Sequence, residues 1–458
     1  MAHIDEEFEH KKIRLLYAPW ERRIDQLLTP IEKFARHQAT AGLLLMFTAL
    51  VALVLANSGW GESYRHMLHT PVGFSLGSMS IEKSLHHWIN DGLMTLFFFV
   101  VGLELKREIL VGELSNIRMA ALPILAALGG MIVPAAIYFA INSEGAAARG
   151  WGIPMATDIA FALGVIALLA GRVPKALITF LVALAIADDL GAIVIIALFY
   201  TEKLVVSALA VSAIITALMI VMNLIGVRKA SPYFILGFFL WVALMKSGVH
   251  ATLAGVISAF TVPALPRFDP MTFSKRMKVL LRSFDDSFQD GGSILKNQRM
   301  VSTLQSLRKG VSGVEAPLQR LEHSMHKPVA FFILPVFALF NAGVQIDFAN
   351  TTQVLQQPIV LGVCLGLLLG KFIGIVSFSW LALKIEVVSL PTGVTMKHIC
   401  GAAVLASIGF TMSIFIAELA FSQYPQLIVQ AKLGILFASL TAGVIGYLWL
   451  RKIGMEGK

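Results

Sequence analysis

Residues 181–200 read LVALAIADDLGAIVIIALFY, an apolar run long enough to cross a bilayer, with two adjacent carboxylates, Asp188 and Asp189, near its middle. An Asp at the centre of a spanning helix costs about 2.5–3.5 kcal/mol. Two side by side cost roughly twice that, and they repel each other unless one is protonated or a cation sits between them. No structural gain of that size is visible in the sequence. The pair therefore reads as a cation or proton site, and the rest of the chain is expected to support it.

The composition agrees. Of 458 residues, 57% are hydrophobic and 14% charged, with a mean hydropathy of +0.77; no soluble domain needs that much apolar surface. The expected fold class is an all-α polytopic membrane protein. Apolar runs of about 15–25 residues recur, near 37–57, 85–110, 117–142, 150–171, 174–200, 204–226, 232–245, 248–264, 327–344, 357–383, 398–421 and 429–451. They make twelve expected transmembrane helices. The two runs between 232 and 264 are short and hinge on Lys246-Ser247-Gly248.

Lys and Arg orient the chain. With the N-terminus inside, 30 of the 37 fall in cytoplasmic segments. External segments hold Arg65, Lys83, Arg149, Lys203, Lys246 and Lys432, and Lys371 lies inside a span. Both termini are thus expected to be cytoplasmic, and the net charge of +9 needs no nucleic acid to explain it. The first 35 residues are charged, so no cleavable signal peptide is expected. Cys364 and Cys400 lie in or beside apolar runs and form no metal motif.

The expected organisation is a cytoplasmic arm at 1–36, eight spans within 37–264, a cytoplasmic insertion at 265–326, four spans within 327–451 and a tail at 452–458. The insertion is polar and basic and is a candidate for binding anionic lipid headgroups, or a solvated connection. Residues 71–82, PVGFSLGSMSIE, look like an external β-hairpin. A lone hairpin is marginal in water, so a second subunit is a candidate partner.

Two spans look interrupted. Span 150–171 holds Pro154, followed by Thr157 and Asp158; span 398–421 holds Gly401, Ser407, Gly409 and Thr411. Broken backbone at membrane depth is tolerated where it is buried in protein or lines a cavity, and paired interruptions in the two halves point to a binding site between them. Close helix packing is the other reading of the glycines. Lys371 lies mid-span and needs a carboxylate, with Asp188 or Asp189 the natural candidate. Burial and such a partner act on a Lys in opposite senses, which makes it a candidate for proton exchange; a purely structural ion pair is the alternative. His250, His323 and His326 lie near span ends and with Glu322 form a candidate pH-sensing cluster at the cytoplasmic face, or simple interfacial polarity. Glu104 and Glu108 share one helix face at the inner end of a span, as a cation funnel or as ion-pair partners.

Seven segments carry a resemblance: MATDIAFALGV, ALAIADDLGAIVIIALFYT, KSGVHATLAGVI, RLEHSMHKPVAF, LPVFALFNAGV, GKFIGI and SIGFTMSIFIA. They are long and ordered, and they resemble the NhaA-type sodium/proton antiporters of bacteria from about Ala39 to Tyr447, interrupted mainly at 266–319. The resemblance implies two inverted three-helix repeats, roughly 117–200 and 357–451, whose interrupted helices carry Asp158 and Gly409. It implies that Asp189 is the main Na⁺ ligand, that Asp188 partners Lys371, and that Thr157 and Asp158 support the site and balance the helix ends. It ties Glu104, Glu108, His250, Glu322, His323 and His326 to pH response, and it implies a homodimer joined through the 71–82 hairpin in the bacterial inner membrane. The chain departs from the pattern in its longer arm, its longer insertion, and Glu418, which stands where a small residue is common.

The expected function is electrogenic exchange of Na⁺ or Li⁺ for protons, activated at alkaline pH, with no cofactor and no enzymatic activity. A proton-coupled carrier of another solute is the alternative; it would want more Asn, Gln or Arg in its spans. An intramembrane aspartyl protease would place two Asp on separate spans, one in a Gly-x-Gly-Asp setting that this sequence lacks.

Overall fold

A computed structural model of the chain describes residues 38–76, 79–169, 171–201, 204–287, 297–346, 353, 356–386 and 388–456. The expected arm at 1–36 lies outside these residues, as do 288–296 of the expected insertion. In chain order the helices of eight or more residues are α1 (Gln38–Ala56), α2 (Gly61–His69), α3 (Met94–Val111), α4 (Ile117–Ile141), α5 (Ile159–Ala167), α6 (Lys175–Phe199), α7 (Val206–Leu224), α8 (Ser231–Ser247), α9 (Leu253–Thr261), α10 (Pro270–Asp286), α11 (Gln298–Val314), α12 (Pro317–Pro328), α13 (Leu334–Asn341), α14 (Pro358–Leu365), α15 (Lys371–Lys384), α16 (Met396–Ala406), α17 (Phe410–Ala420) and α18 (Pro425–Glu456). Two strands, β1 (Pro71–Leu76) and β2 (Met79–Ser84), pair antiparallel from Pro71 opposite Ser84 to Leu76 opposite Met79. They cover the expected hairpin, and its first strand is pinned by the Trp88 indole N–H donating to the Val72 carbonyl at 2.8 Å.

Among the described residues, six helical stretches are long and apolar enough to cross a membrane: Met119–Ile141, Lys175–Phe199, Val206–Leu224, Pro317–Asn341, Pro358–Lys384 and Pro425–Gly454. Three bent pairs raise the number to nine if each is one span. These are Thr40–Ala56 with Gly61–His69 at 110°, Gly145–Met155 with Ile159–Ala167 at 42°, and Met396–Ala406 with Phe410–Ala420 at 46°. The other three expected spans fall on α3, α8 and α9. They stay below that standard because α3 carries Glu104, Lys106, Arg107 and Glu108, α8 has 17 residues and α9 has nine. The chain turns from α8 to α9 at Gly248, whose φ of 83° a side chain would strain.

The candidate span Pro317–Asn341 is helical on both sides of the expected boundary at 326. Pro317 sits at its N-terminal first turn, where proline costs no hydrogen bond. The wide turn Val329–Ile333 follows Pro328 and carries α12 into α13, so 317–326 belong to the same helix.

The helices present large apolar residues outward. Along α7 only Ser212 and Met219 are buried, while Val206 and Leu224 are 75% and 80% exposed. A surface of this kind suits lipid contact rather than water. Inside, α4 and α15 touch backbone to backbone. A Cβ on Gly374 would come within 2.1 Å of the Gly129 carbonyl oxygen, and one on Gly370 within 2.6 Å of the Pro134 Cα. With Gly370 and Gly374 four residues apart, this is a small-residue helix contact, and it fixes where Lys371 enters the core.

Candidate ion site at two crossed breaks

Two stretches of the chain share one order: long helix, broken helix, long helix. The first runs through α4, the 3₁₀ segment Gly145–Met155, α5 and α6; the second through α14 and α15, α16 and α17, and α18. The two breaks hydrogen-bond to each other. The Asp158 amide donates to the Ile408 carbonyl at 2.7 Å, and the Thr157 hydroxyl lies 3.0 Å from the Ala406 carbonyl. The Ser413 hydroxyl donates to the Ile153 carbonyl at 2.8 Å. Backbone groups freed by each break are thus satisfied by the other, as a water-free interior demands.

Asp158 ties both half-helices together. Its Oδ1 accepts the Phe161 amide at 2.9 Å and caps α5; its Oδ2 accepts the Thr411 amide at 3.0 Å and the Thr411 hydroxyl at 2.5 Å in the first turn of α17. A carboxylate here serves the orphan amides and the positive ends of two helices at once. The resemblance implies that Asp158 balances the helix ends; which amides it accepts depends on the crossing.

Asp188 and Asp189 lie halfway along α6, both 1% exposed. Lys371, fully buried, donates to Asp188 Oδ2 and to the Thr157 hydroxyl. That hydroxyl lies 2.6 Å from the same Asp188 oxygen. Of the two candidates for Lys371, its ion-pair partner is therefore Asp188. Among the described residues, Asp188 Oδ1 and Asp189 Oδ1 have no hydrogen-bond partner. A buried carboxylate oxygen without a donor is costly, and what it lacks, a proton or a cation, is what such a group can exchange.

Pro154 ends the 3₁₀ segment just ahead of the first break, and Ser407 and Gly409 lie in the second. Thr411 belongs to the crossing through Asp158. Gly401 does not: it sits inside α16, where a Cβ would come within 2.4 Å of Leu450, so packing against α18 explains it. The Phe410 amide at the second break is instead served by the Ser439 hydroxyl at 3.1 Å, which sequence reasoning did not single out.

The residues tied to pH response separate into two places. Near the end of α3, Arg107 pairs with Glu108 at 2.8 Å and lies 3.1 Å from Glu322 of α12. Glu108 also accepts the Glu113 amide at 2.9 Å, and Glu104 is half-buried one turn earlier. His323 and His326 flank Glu322 on the exposed side of α12. His250 is elsewhere. Its Nε2 contacts the Tyr200 carbonyl at 2.5 Å, and it lines a cavity of about 390 Å³ with His86, His87, Asp91 and Glu418. The expected grouping of His250 with Glu322 is thus corrected: α9 runs alongside α3 in the same direction, which puts His250 at the end of α3 opposite Glu108. Glu418 pairs with Lys432 at 2.6 Å and with His86 at 3.6 Å.

The family profile described as Na⁺/H⁺ antiporter 1 matches residues 32–450. The chain is 62% identical over 437 residues to a protein of Saccharophagus degradans named Na(+)/H(+) antiporter NhaA 1, covering 95% of this chain and 94% of the relative. It is 50% identical to the protein named Na(+)/H(+) antiporter NhaA of Sulfurimonas denitrificans, with 96% and 98% covered. The like-named protein of Syntrophobacter fumaroxidans is 48% identical, with 96% and 94% covered. The apolar helices and these relatives make the chain a multi-pass membrane protein. It belongs to the Na⁺/H⁺ antiporter 1 family.

Proposed function

We propose that the chain exchanges Na⁺ or Li⁺ for protons across a bacterial inner membrane, with Asp189 as the carrier of either cargo. The observation that carries this is the donorless Asp189 oxygen beside the Lys371–Asp188–Thr157 group at the crossed breaks. A hard cation takes oxygen ligands, and one carboxylate oxygen holds a cation or a proton but not both. Competition at that atom couples the two flows. The names of the relatives support the choice of sodium.

The finer reading follows from the same parts. Twelve spans with both termini cytoplasmic, arranged as two inverted repeats, let the crossing open to one side and then the other. Exchange of two protons per cation would make the cycle electrogenic. It needs a second titrating group, and Lys371 on Asp188 supplies one. Cation uptake requires Asp189 ionised, so activity rises at alkaline pH, and Glu104, Glu108, Glu322, His323 and His326 are the groups at the cytoplasmic mouth that tune it. The arm, insertion and tail lie in the cytoplasm. The hairpin joins two copies in a homodimer, and neither enzymatic activity nor a cofactor is part of the cycle.

The test is dequenching of a ΔpH dye in everted vesicles on adding Na⁺, Li⁺ or K⁺, from about pH 6.5 to 8.5. Dequenching by Na⁺ and Li⁺ but not K⁺, growing with pH, is the expected result. No cation-dependent signal from well-inserted protein at any pH would overturn the reading.

A further inference from the structure

Ahead of the Glu322 group, the described part of the expected insertion forms helices of its own. α10 and α11 pack on one another as a hairpin, with Phe273, Met277, Leu280 and Phe284 half-buried along α10 and Met300 and Thr303 buried on α11. Its base is clamped. The amides of Arg267 and Phe268 donate to the Gly313 carbonyl at 2.8 and 3.0 Å, and the Leu318 amide donates to the Pro263 carbonyl at 3.1 Å. The base therefore joins the end of α9 to the start of α12, a helix that continues into a candidate span. The hairpin cannot stray far from the bilayer surface.

The face of α10 turned away from α11 carries Met271, Lys275, Lys278, Val279 and Arg282, spaced i, i+4, i+7, i+8 and i+11. All five are exposed, Met271 and Val279 by 70% and 65%. The acids near this face, Asp285 and Asp286, stand in the last turn of the helix. Apolar side chains set between cations gain nothing from water. An anionic headgroup layer matches both parts: the cations meet phosphates, and the Met and Val side chains reach the acyl boundary.

We propose that this face of α10 docks on the anionic headgroup surface of the bilayer that holds the chain. The inference rests on the membrane placement of the chain and not on which ion it moves, so the two can fail separately. A Lys or Arg near an anionic leaflet strengthens association about fivefold, and three acting together give a large effect.

The experiment is hydrogen exchange of the full-length protein in nanodiscs of phosphatidylcholine alone or mixed equally with phosphatidylglycerol. Exchange across 270–286 is expected to be at least about tenfold slower in the anionic discs. The difference should shrink as salt is raised, and it should vanish in Lys275→Gln/Lys278→Gln/Arg282→Gln while exchange in α6 stays unchanged. Equal exchange in the two lipids, or protection in anionic discs that survives both the triple variant and high salt, would overturn the proposal. Protection that appears only with an added soluble polyanion would also overturn it, and would give the face to a soluble partner instead. The salt titration uses the unaltered chain and decides the matter even if the variant folds poorly.

Discussion

The two interrupted segments cross at the same place but are built differently. The first break carries the polar groups that act at a distance, Thr157 and Asp158; the second offers Ser407, Gly409 and the first turn of α17. One carboxylate from the first break caps both α5 and α17; the second break contributes the Thr411 amide and hydroxyl that donate to it, and the Ala406 and Ile408 carbonyls that face the Thr157 hydroxyl and accept the Asp158 amide. The difference teaches that the crossing needs one charge, not two. A second buried carboxylate there would be left without donors, and two would repel.

The largest expected effect breaks that asymmetry directly. Asp158→Ala leaves the Phe161 and Thr411 amides and the Thr411 hydroxyl without their acceptor, at about 1–3 kcal/mol for each buried group. Thermal unfolding in detergent should show a collapse of stability or a failure to accumulate folded protein. A mild effect would mean that the breaks hold themselves.

Next comes the link from the first break to the aspartates. Lys371→Met alone strands a buried Asp188 and should cost about 3–5 kcal/mol. The double change Lys371→Met with Asp188→Leu should recover most of that stability. If ΔpH-coupled transport returns with stability, Lys371 is only a structural partner; if stability returns and electrogenic transport does not, it carries a proton.

A smaller loss is expected on the side of the second break. Thr411→Val deletes one hydroxyl bond but keeps the amide bond to Asp158, so about 1 kcal/mol is expected by the same unfolding measurement. Equality with Asp158→Ala would erase the asymmetry.

The smallest effect sharpens the comparison by moving it into water. Asp269 caps α10 as Asp158 caps α5, accepting the Met271 and Thr272 amides at 3.0 Å each. Bonds from the Thr272 side chain and from these amides hold its carboxyl below the usual range. Its contribution is therefore present above the unfolded-state value near about 4 and is lost as pH falls through the lower folded-state value. Circular dichroism should show slight fraying of α10 on acidification, and Asp269→Asn, which keeps a capping oxygen, should lack that step.

Much of the site could be read from the chain because charge in an apolar run is conspicuous. Asp188, Asp189, Asp158 and Lys371 stand out for what they cost. Their assembly could not be read the same way. Asp158 capping α17 joins residues 253 positions apart, and nothing local to Thr411 announces it. Gly401 and Gly409 look alike in sequence, yet one packs on Leu450 and the other lies at a break. His250 sits near a span end like His326, and only the short α9 running alongside α3 reveals that they face different ends. Glu418 and Lys432 each look like an interfacial charge until α17 and α18 bring them within 2.6 Å. In the fold, spans were legible where apolar runs were long; α3, α8 and α9 blur because charge or brevity weakens the same signal.

The central claim is that one oxygen of Asp189 holds either a proton or the cation. Titration of Na⁺ into the purified protein, in two buffers with different ionisation enthalpies, measures protons released per cation bound. The intact chain and Thr411→Val should both release protons on binding, and Asp189→Asn should neither bind nor release. Undiminished Na⁺ binding with the same proton release in Asp189→Asn would contradict the claim and move the exchange to another group.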